Sequence, residues 1–509
     1  MNLNKYNYYH HKKNKFNVLI PIIGDKNQGN SIEKIWFYSD KKNVLKHKKI
    51  RALLEVKIFF KGSKKHVQEN CFNAIGDKES KKSCIPTLNH IQLGQAWSGN
   101  TINTVIFRHH GILTAQNYQF TAYYDHNKQL QIIKRNLKNQ SITSYLIKET
   151  YNLKDAHNSI SLGIDAQGYL HLCYDHHVHS LHYRKSSQPF SINAWTEALS
   201  MTGENEKQVT YPTFIIEPSS GRLLFMYRDG NPYRGRAFLK YYDVSNNTWT
   251  DYPEAILSGY DHKPWTSNPY WNHPVFDIEG KLHLSYVWRS HSLGDQEKIN
   301  NVGIDHTYSP NLGHDWFTVR GIPLQTPITQ VNSETIWAIP RGVNLMNQTS
   351  MAVDSKGHPH IVFYANDNYQ IPQYQHVWFN GIEWCHQIIS RRNKKFDLLG
   401  GGTLQIPMSR PEIVIDDKDY IYVIYRADIT EHQMAVLTLF PDDYSLEKGV
   451  ERRLAEEPLG FSEPIIDRLR WNRDKILSML IGYNNQPSHD QNVQETQHPI
   501  YIMEWNIKL

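Results

Sequence analysis

Two histidines, His157 and His177, stand 20 residues apart on either side of a strand–turn–strand pattern, SLGIDAQGYLHLCY. If the two strands form an antiparallel hairpin, both of its ends lie at one edge, so the two histidines would be neighbours. Histidine is the side chain best suited to proton transfer near neutral pH. The spacing therefore predicts a pair of proton-transferring groups, with His176 and His179 competing with His177 for the second position.

The next two copies of this hairpin carry polar residues at the matching positions, just before the first strand and just after the second. Tyr211 precedes one hairpin in VTYPTF, and Arg228 follows it in MYRDG. His273 precedes the next hairpin in YWNHPVF, and Arg289 follows it in YVWRSHS. Structural residues have no need to converge in this way, so the shared phase favours one site assembled from adjacent repeats.

Histidine, tyrosine and arginine without a distinctive pair of carboxylates suit β-elimination on a uronic acid. An arginine can neutralise the uronate carboxylate through a bidentate pair. A histidine or tyrosine can then remove the C5 proton, and another can protonate the leaving oxygen at C4. We expect His157 or Tyr211 to be the base. Retaining glycoside hydrolysis would instead need two carboxylates about 5 Å apart.

Two other functions remain open at the level of sequence. A sialidase-like hydrolase would use a tyrosine nucleophile and three arginines, which Tyr211 and a selection from Arg228, Arg289, Arg341 and Arg410 could imitate. A non-catalytic glycan-binding propeller is the other alternative, because one fold hosts many unrelated functions.

The hairpin is one copy of a repeat that recurs along the chain. Each copy is an apolar strand, an acidic residue, a turn and a second apolar strand rich in aromatic residues, which is the pattern of a β-hairpin. Seven copies are found, over residues 104–124, 161–174, 213–227, 275–288, 351–364, 412–425 and 464–483. Aromatic stretches that follow most copies fit the outer strands of four-stranded sheets.

These copies predict an all-β protein, a seven-bladed β-propeller of four-stranded antiparallel blades over residues 86–509. The segment IQLGQAWSGN, residues 91–100, is expected to supply a strand that closes the ring. The repeated acidic residues are interpreted as turn caps and not as catalytic groups. They are Asp165, Glu217, Asp277, Asp354, Asp416 and Asp467.

The formal net charge of +6 comes from one end of the chain. Residues 1–85 contain 19 basic and 7 acidic residues, whereas the remainder contains 37 and 43, so nucleic-acid binding is not expected. Residues 1–85 are predicted to be a basic extension that is disordered or lies upstream of the true start. Residues 12–24 only faintly resemble a signal peptide, and no apolar run is long enough to span a bilayer. The four cysteines, Cys71, Cys84, Cys173 and Cys385, form no CxxC pair.

The run HNSISLGID…GYLHL…HH, followed by VTYPTFI…GRLLFMYRDG and GKLHLSYVWR, resembles the BNR-4 repeat proteins. These include seven-bladed ulvan lyases of polysaccharide lyase families 24 and 25, and related lyases of rhamnose–glucuronate linkages. The resemblance extends over about residues 90–508 and is strongest over 155–290. It implies a lyase for a uronic-acid-containing polysaccharide, with active-site residues at His157, His177, Tyr211, Arg228 and Arg289.

By the same resemblance, Arg289 neutralises the uronate carboxylate. The substrate-binding residues are expected to be Asn158, His273, Arg341 and Arg410. No cofactor is needed for the chemistry. A structural metal ion occurs in the family, but its ligands here are unassigned beyond Cys173 and the nearby histidines as candidates. The resemblance implies a secreted or periplasmic monomer, although residues 12–24 are not a clear signal peptide.

Overall fold

The computed structural model describes residues 88–260, 267–290, 301–347, 349–399, 402–488 and 493–507, and the backbone of four short strands before them. The chain forms two compact units, residues 1–81 and residues 82–509. In the first unit the strands form two antiparallel pairs, His10–His11 with Lys15–Phe16 and Ile35–Tyr38 with Glu55–Ile58. Cys71, Cys84 and the side chains of the expected basic extension lie outside the described residues, so the expectations for them stay predictions.

The second unit is an all-β propeller whose antiparallel sheets follow one another along the chain. Sheets 1, 5, 6 and 7 have four strands each. Sheet 1 contains Ile112–Ala115, Tyr118–Tyr124, Leu130–Asn136 and Ile142–Ile147. Sheet 5 contains Ser350–Val353, Pro359–Asn366, Pro372–Phe379 and Trp384–Ile388. Sheet 6 contains Glu412–Ile415, Ile421–Arg426, Met434–Leu439 and Val450–Arg453. Sheet 7 contains Ile465–Ile466, Ile476–Gly482, Gln497–Asn506 and Leu88–Trp97.

Two sheets have additional strands. Sheet 3 contains His177–His179, Val209–Ile216, Leu223–Asn231, Arg234–Asp243, Thr248–Asp251 and Leu257–Ser258. Sheet 4 contains Ser267–Trp271, Val275–Phe276, Leu282–Ser290, Asn301–Ser309, Trp316–Phe317, Pro323–Leu324 and Thr335–Trp337.

Sheet 2 corrects the prediction of seven four-stranded blades. It has only three strands, Ser161–Ile164, Leu170–Cys173 and Tyr183–Lys185. The segment that should form its fourth strand is joined only by isolated bridges, between Tyr183 and Leu199 and between Ser186 and Trp195. Within the described ranges, six blades of four or more strands are therefore present.

The ring is closed by a strand from the start of the second unit. Leu88–Trp97 pairs antiparallel with Gln497–Asn506 and so becomes the outermost strand of sheet 7. This confirms the closing strand expected near residues 91–100. In the part of the chain that the structure describes, no helix has the length and apolar character needed to cross a membrane.

The repeated acidic residues cap turns, as predicted. Asp165 Oδ1 accepts hydrogen bonds from the N–H groups of Gln167 (3.0 Å) and Tyr169 (2.9 Å), and the same pattern recurs in sheets 4, 5 and 6. Asp467 instead caps a short helix, Arg468–Asp474, by accepting from the Arg470 N–H. The helix interrupts the last hairpin, between the strands Ile465–Ile466 and Ile476–Gly482.

The hydrophobic core lies between neighbouring sheets and holds them in close contact. Phe214 of sheet 3 packs on Gly163 of sheet 2, where a Cβ atom would come within 2.7 Å of the ring. In every sheet the two strands of the repeated hairpin pair antiparallel, and in sheet 4 both Ser267–Trp271 and Val275–Phe276 pair with Leu282–Ser290. Residues that precede inner strands and residues that follow second strands therefore meet at the same end of each hairpin.

Candidate active site

The two predicted histidines meet through a carboxylate that lies between them. Asp155 Oδ1 accepts from the His157 N–H (2.9 Å) and is 2.7 Å from His157 Nδ1, while Oδ2 is 2.5 Å from His177 Nδ1. The two imidazole rings stack with their centroids 4.1 Å apart. The predicted juxtaposition of His157 and His177 is confirmed, and their role in catalysis remains to be tested.

The competing histidines take other positions. His176 is fully buried, and its Nε2 accepts from the His182 N–H at 2.7 Å. Burial lowers the pKa of His176 well below the ordinary value for imidazole. His179 is exposed at the end of the strand His177–His179, which leaves sheet 2 and pairs with Val209 and Thr210 of sheet 3. Of the three histidines, His177 is the one that joins His157.

Tyr211 lies beside the histidine pair in an unusual backbone conformation. Its φ is 57°, inside the register shift between Thr210 and Thr213, which is a costly conformation for an aromatic residue and is often found at functional sites. Its ring lies 5.9 Å from that of His157 and 5.8 Å from that of Tyr270. Burial, reinforced by Tyr270, raises the pKa of Tyr211 to about 12, so the phenol stays protonated at neutral pH.

Arg228 is a buried cation to which no anion among the described residues hydrogen-bonds. It is 1% exposed, and its guanidinium carbon lies 5.0 Å from the ring of Tyr211 and 5.8 Å from that of Tyr270. Among the described residues, no hydrogen-bond partner reaches its buried Nε and Nη2 atoms. Gly235 makes room for it, because a Cβ atom there would lie 2.8 Å from Arg228 Cδ. A ligand carboxylate would satisfy this guanidinium.

Arg289 and Arg410 also approach Tyr211, but both are held by protein groups. Arg289 donates from Nε to Asn301 Oδ1 at 3.0 Å and from Nη1 to the Tyr270 hydroxyl at 3.2 Å. Arg410 donates to Glu463 through its own N–H at 2.8 Å and through Nε at 2.9 Å. The positive charges of Arg228, Arg289 and Arg410 all act to lower the Tyr211 pKa, which places the three arginines around one phenol.

The other expected substrate-binding residues are placed differently. Asn158 is fully buried, and its Nδ2 donates to the Asn152 carbonyl at 2.8 Å, so its side chain ties the loop that carries His157. His273 packs against His109 and His110, with ring centroids 4.7 Å away in both cases, and lines a pocket that also contains Phe276.

Substrate contact by Asn158 and His273 stays a prediction. His273 lies within the inner part of its repeat, between the strands Ser267–Trp271 and Val275–Phe276, and not at the end where His157 and Tyr211 meet. Arg341 is exposed on the loop between Trp337 and Ser350. Its role in binding stays a prediction.

Sequence reasoning missed three residues of the site. Asp155 precedes His157 by two positions, and the sequence analysis held that the site had no carboxylate partner. Phe107 stacks on His157 at 5.0 Å, and Tyr270 separates Arg228 from Arg289. Asp155 could have been found from its place in the DAHN stretch, but nothing in the sequence marks Phe107 or Tyr270 among many aromatic residues.

Asp155, His157 and His177 form the one group among the described residues whose geometry could hold a metal ion, with ligand atoms all within 4.8 Å of one another. One carboxylate and two imidazoles suit a divalent ion such as Zn²⁺. Cys173, the thiol considered from the sequence, is buried and lies outside this group. The expected structural metal ion remains unassigned.

The fold and this arrangement define a β-propeller with a cationic, aromatic site at one end of its hairpins. The family pattern described as "BNR repeat-containing family member" matches residues 118–392, and the chain belongs to this family. It is also similar to the short isoform of ulvan lyase from Alteromonas sp. (strain LOR), with 31% identity over 150 residues. That similarity covers 27% of each of the two chains.

Two solved structures have the same fold. The first is an ulvan lyase of polysaccharide lyase family 25, with a TM-score of 0.59 and 15% identity. The second is a lyase of that family bound to -[GlcA(1-4)Rha3S]-, with a TM-score of 0.58 and 14% identity. Each likeness covers 81% of this chain and 95% of the other chain. At such low identity, these likenesses concern the fold alone.

Proposed function

We propose that the protein is a polysaccharide lyase that cleaves a uronic-acid-containing glycan by β-elimination. The observation that carries the proposal is the buried guanidinium of Arg228, which lies next to Tyr211 and whose Nε and Nη2 have no hydrogen-bond partner within the described ranges. A uronate carboxylate has the charge and the planar shape to occupy this position. The ulvan lyase likeness supports a glucuronate linked to sulfated rhamnose as the first substrate class to test.

Arg228 is the better candidate than Arg289 for neutralising the carboxylate. Arg289 already donates to Asn301, Tyr270 and Asn347, so it would have to give up hydrogen bonds to bind a carboxylate in a bidentate manner. Arg228 would give up none at Nε and Nη2. We assign Arg289 to positioning the Tyr270 hydroxyl and the loop of Asn347.

The pKa of Tyr211 separates the roles of base and acid. Because this pKa is raised to about 12, Tyr211 is proposed as the acid. His157 is proposed as the base that takes the C5 proton. The C5–H electron pair then forms the C4–C5 double bond, the C4–O bond breaks, and Tyr211 Oη gives its proton to the leaving oxygen. Solvent returns a proton to Tyr211 and removes one from His157.

The alternatives considered from the sequence have no comparable support. A sialidase-like hydrolase would use an arginine triad, yet Arg289 is held by asparagine and Arg410 by Glu463. A binding propeller would have no need for a strained, protonated tyrosine beside two histidines. Both alternatives remain possible outcomes of the experiment below.

The experiment is to incubate the purified protein with ulvan and with other glucuronate–rhamnose glycans, and to follow two products at once. Lyase action produces ultraviolet absorbance from the conjugated C4–C5 double bond together with new reducing ends. New reducing ends without that absorbance would favour a hydrolase. Binding without either product would favour a glycan-binding propeller.

Two expectations accompany the activity as proposals. The protein is proposed to be a secreted or periplasmic monomer. Residues 1–85 are proposed to have no part in catalysis, so a protein beginning at residue 86 should retain full activity.

A further inference from the structure

We infer that Asp155 is a positioning residue that fixes the orientation and the tautomer of both histidines. The inference rests on the proposed function in one respect, that His157 acts as a base. The role assigned to Asp155 comes from the geometry, in which each carboxylate oxygen faces the Nδ1 atom of one imidazole ring.

The loop that carries Asp155 is held by three hydrogen bonds. The Asn158 N–H donates to the Asp155 carbonyl at 3.1 Å, and Asn158 Nδ2 donates to the Asn152 carbonyl at 2.8 Å. Asp155 Oδ1 additionally accepts from the His157 N–H at 2.9 Å. The carboxylate is therefore fixed by its own backbone, and the histidines must adapt to it.

A carboxylate beside Nδ1 decides where a neutral imidazole carries its proton. Because an ionised carboxylate can only accept hydrogen bonds, both Nδ1 atoms must carry hydrogen. The Nε2 atom of each neutral ring then keeps its lone pair and can accept a proton from the substrate. When His157 takes the C5 proton, the imidazolium that forms lies against the Asp155 charge, which stabilises it.

Because the two imidazole rings stack, the single carboxylate of Asp155 can contact the Nδ1 atoms of both. The ring centroids of His157 and His177 are 4.1 Å apart, and Phe107 covers His157 at 5.0 Å with an interplanar angle of 16°. His157 is thus held between His177 and Phe107 on its faces and by Asp155 at its edge. His177 serves as a second support of the same orientation, with its Nε2 available to the substrate.

The test replaces Asp155 by asparagine. The amide of Asp155→Asn can donate to Nδ1, which favours the opposite tautomer with hydrogen on Nε2. We expect kcat to fall by about 10²- to 10⁴-fold, as for loss of a general base, with a small change in KM. Asp175→Asn is the matched control, because Asp175 contacts the same loop through the Asn152 N–H at 3.2 Å. The control should keep the wild-type rate.

The tautomers can be read independently of activity. Two-dimensional ¹⁵N–¹H NMR of histidine-labelled protein, with EDTA present, should show Nδ1–H tautomers for His157 and His177 in the wild type and Nε2–H in Asp155→Asn. Variants His157→Gln and His177→Gln assign the signals. A merely structural carboxylate would leave the tautomers unchanged.

The outcomes separate the inference from the proposed function. If no glycan is cleaved but the wild-type rings carry hydrogen on Nδ1, the lyase proposal fails and the role of Asp155 stands. If the wild type is a lyase and either ring carries hydrogen on Nε2, the inference is overturned. It is also overturned if Asp155→Asn keeps the wild-type kcat. If that variant does not fold, the wild-type spectrum alone decides.

Discussion

Arg228→Met should abolish most lyase activity because it removes the group proposed to bind the uronate carboxylate. The variant keeps the side-chain volume roughly constant and removes the charge. Removing one partner of a desolvated, hydrogen-bonded charge pair costs about 2–5 kcal/mol. At about 1.4 kcal/mol for each factor of ten, kcat/KM should fall by about 30- to 4,000-fold.

The same substitution should leave the fold intact or make it more stable. Burying an ion without a partner costs several kcal/mol, and methionine removes that cost. The variant also loses two cation–π contacts, to Tyr211 and Tyr270, and each loss lowers the stability by about 0.5–2 kcal/mol. We therefore expect the free energy of unfolding to stay within about 1 kcal/mol of the wild-type value or to rise, because these opposing contributions are similar in size.

Arg392→Met is the matched control for stability. Arg392 is also buried, but it donates to both oxygens of Asp428, at 2.8 and 2.9 Å. Removing it strands the Asp428 carboxylate and should cost about 3–5 kcal/mol of folding stability. Urea unfolding followed by tryptophan fluorescence, together with initial rates of double-bond formation, measures both quantities. The reasoning is refuted if Arg228→Met keeps its rate, or if it loses as much stability as Arg392→Met.

Three further outcomes follow from the described contacts. Tyr211→Phe should lower kcat by about 10²- to 10⁴-fold at unchanged stability, and an equal loss of folding stability would argue for packing instead of proton transfer. Gly235→Ala should lower lyase activity in a folded protein, because the new Cβ would meet Asn268 Oδ1 and, at 2.8 Å, Arg228 Cδ; wild-type rates would show that the Arg228 position is not critical. Burial alone would raise the pKa of Asp165, but the hydrogen bond from His171 and other contacts outweigh burial and lower it. Stability should therefore be lost as pH falls below its ordinary value of 3.8, and urea midpoints of Asp165→Asn should depend less on pH in that range.

The parts of the fold that the sequence predicts are those that follow from local periodicity. Alternating apolar residues around an Asp-containing turn specify a hairpin, and the hairpin alone brings His157 to the same end as His177. No local pattern reveals that the segment around Trp195 joins sheet 2 only through isolated bridges. The sequence therefore predicts the type of blade correctly but not the number of complete blades.

Part of the candidate site also follows from local periodicity. Tyr211 and Arg228 can be found from their positions in the repeat, because they lie near the same end of one hairpin. His273 shares nearly the same phase, but it lies a few residues further along its strand and faces His109 and His110. His273 lies in the break between the strands Ser267–Trp271 and Val275–Phe276, and the repeat pattern does not predict this break.

The contrast between two buried arginines supports the proposal that Arg228 binds a ligand carboxylate. The guanidinium of Arg108 donates to four backbone carbonyls, including those of Ile160 at 2.8 Å and Asn103 at 2.6 Å. Arg228 is buried to the same degree, but two of its nitrogen atoms have no partner in the part of the chain that the structure describes. Backbone carbonyls can therefore satisfy a buried guanidinium in this fold. Among the described residues, none of them does so for Nε and Nη2 of Arg228. A buried polar group that a protein leaves unsatisfied, beside a tyrosine in a strained conformation, is best explained by a binding partner that completes it.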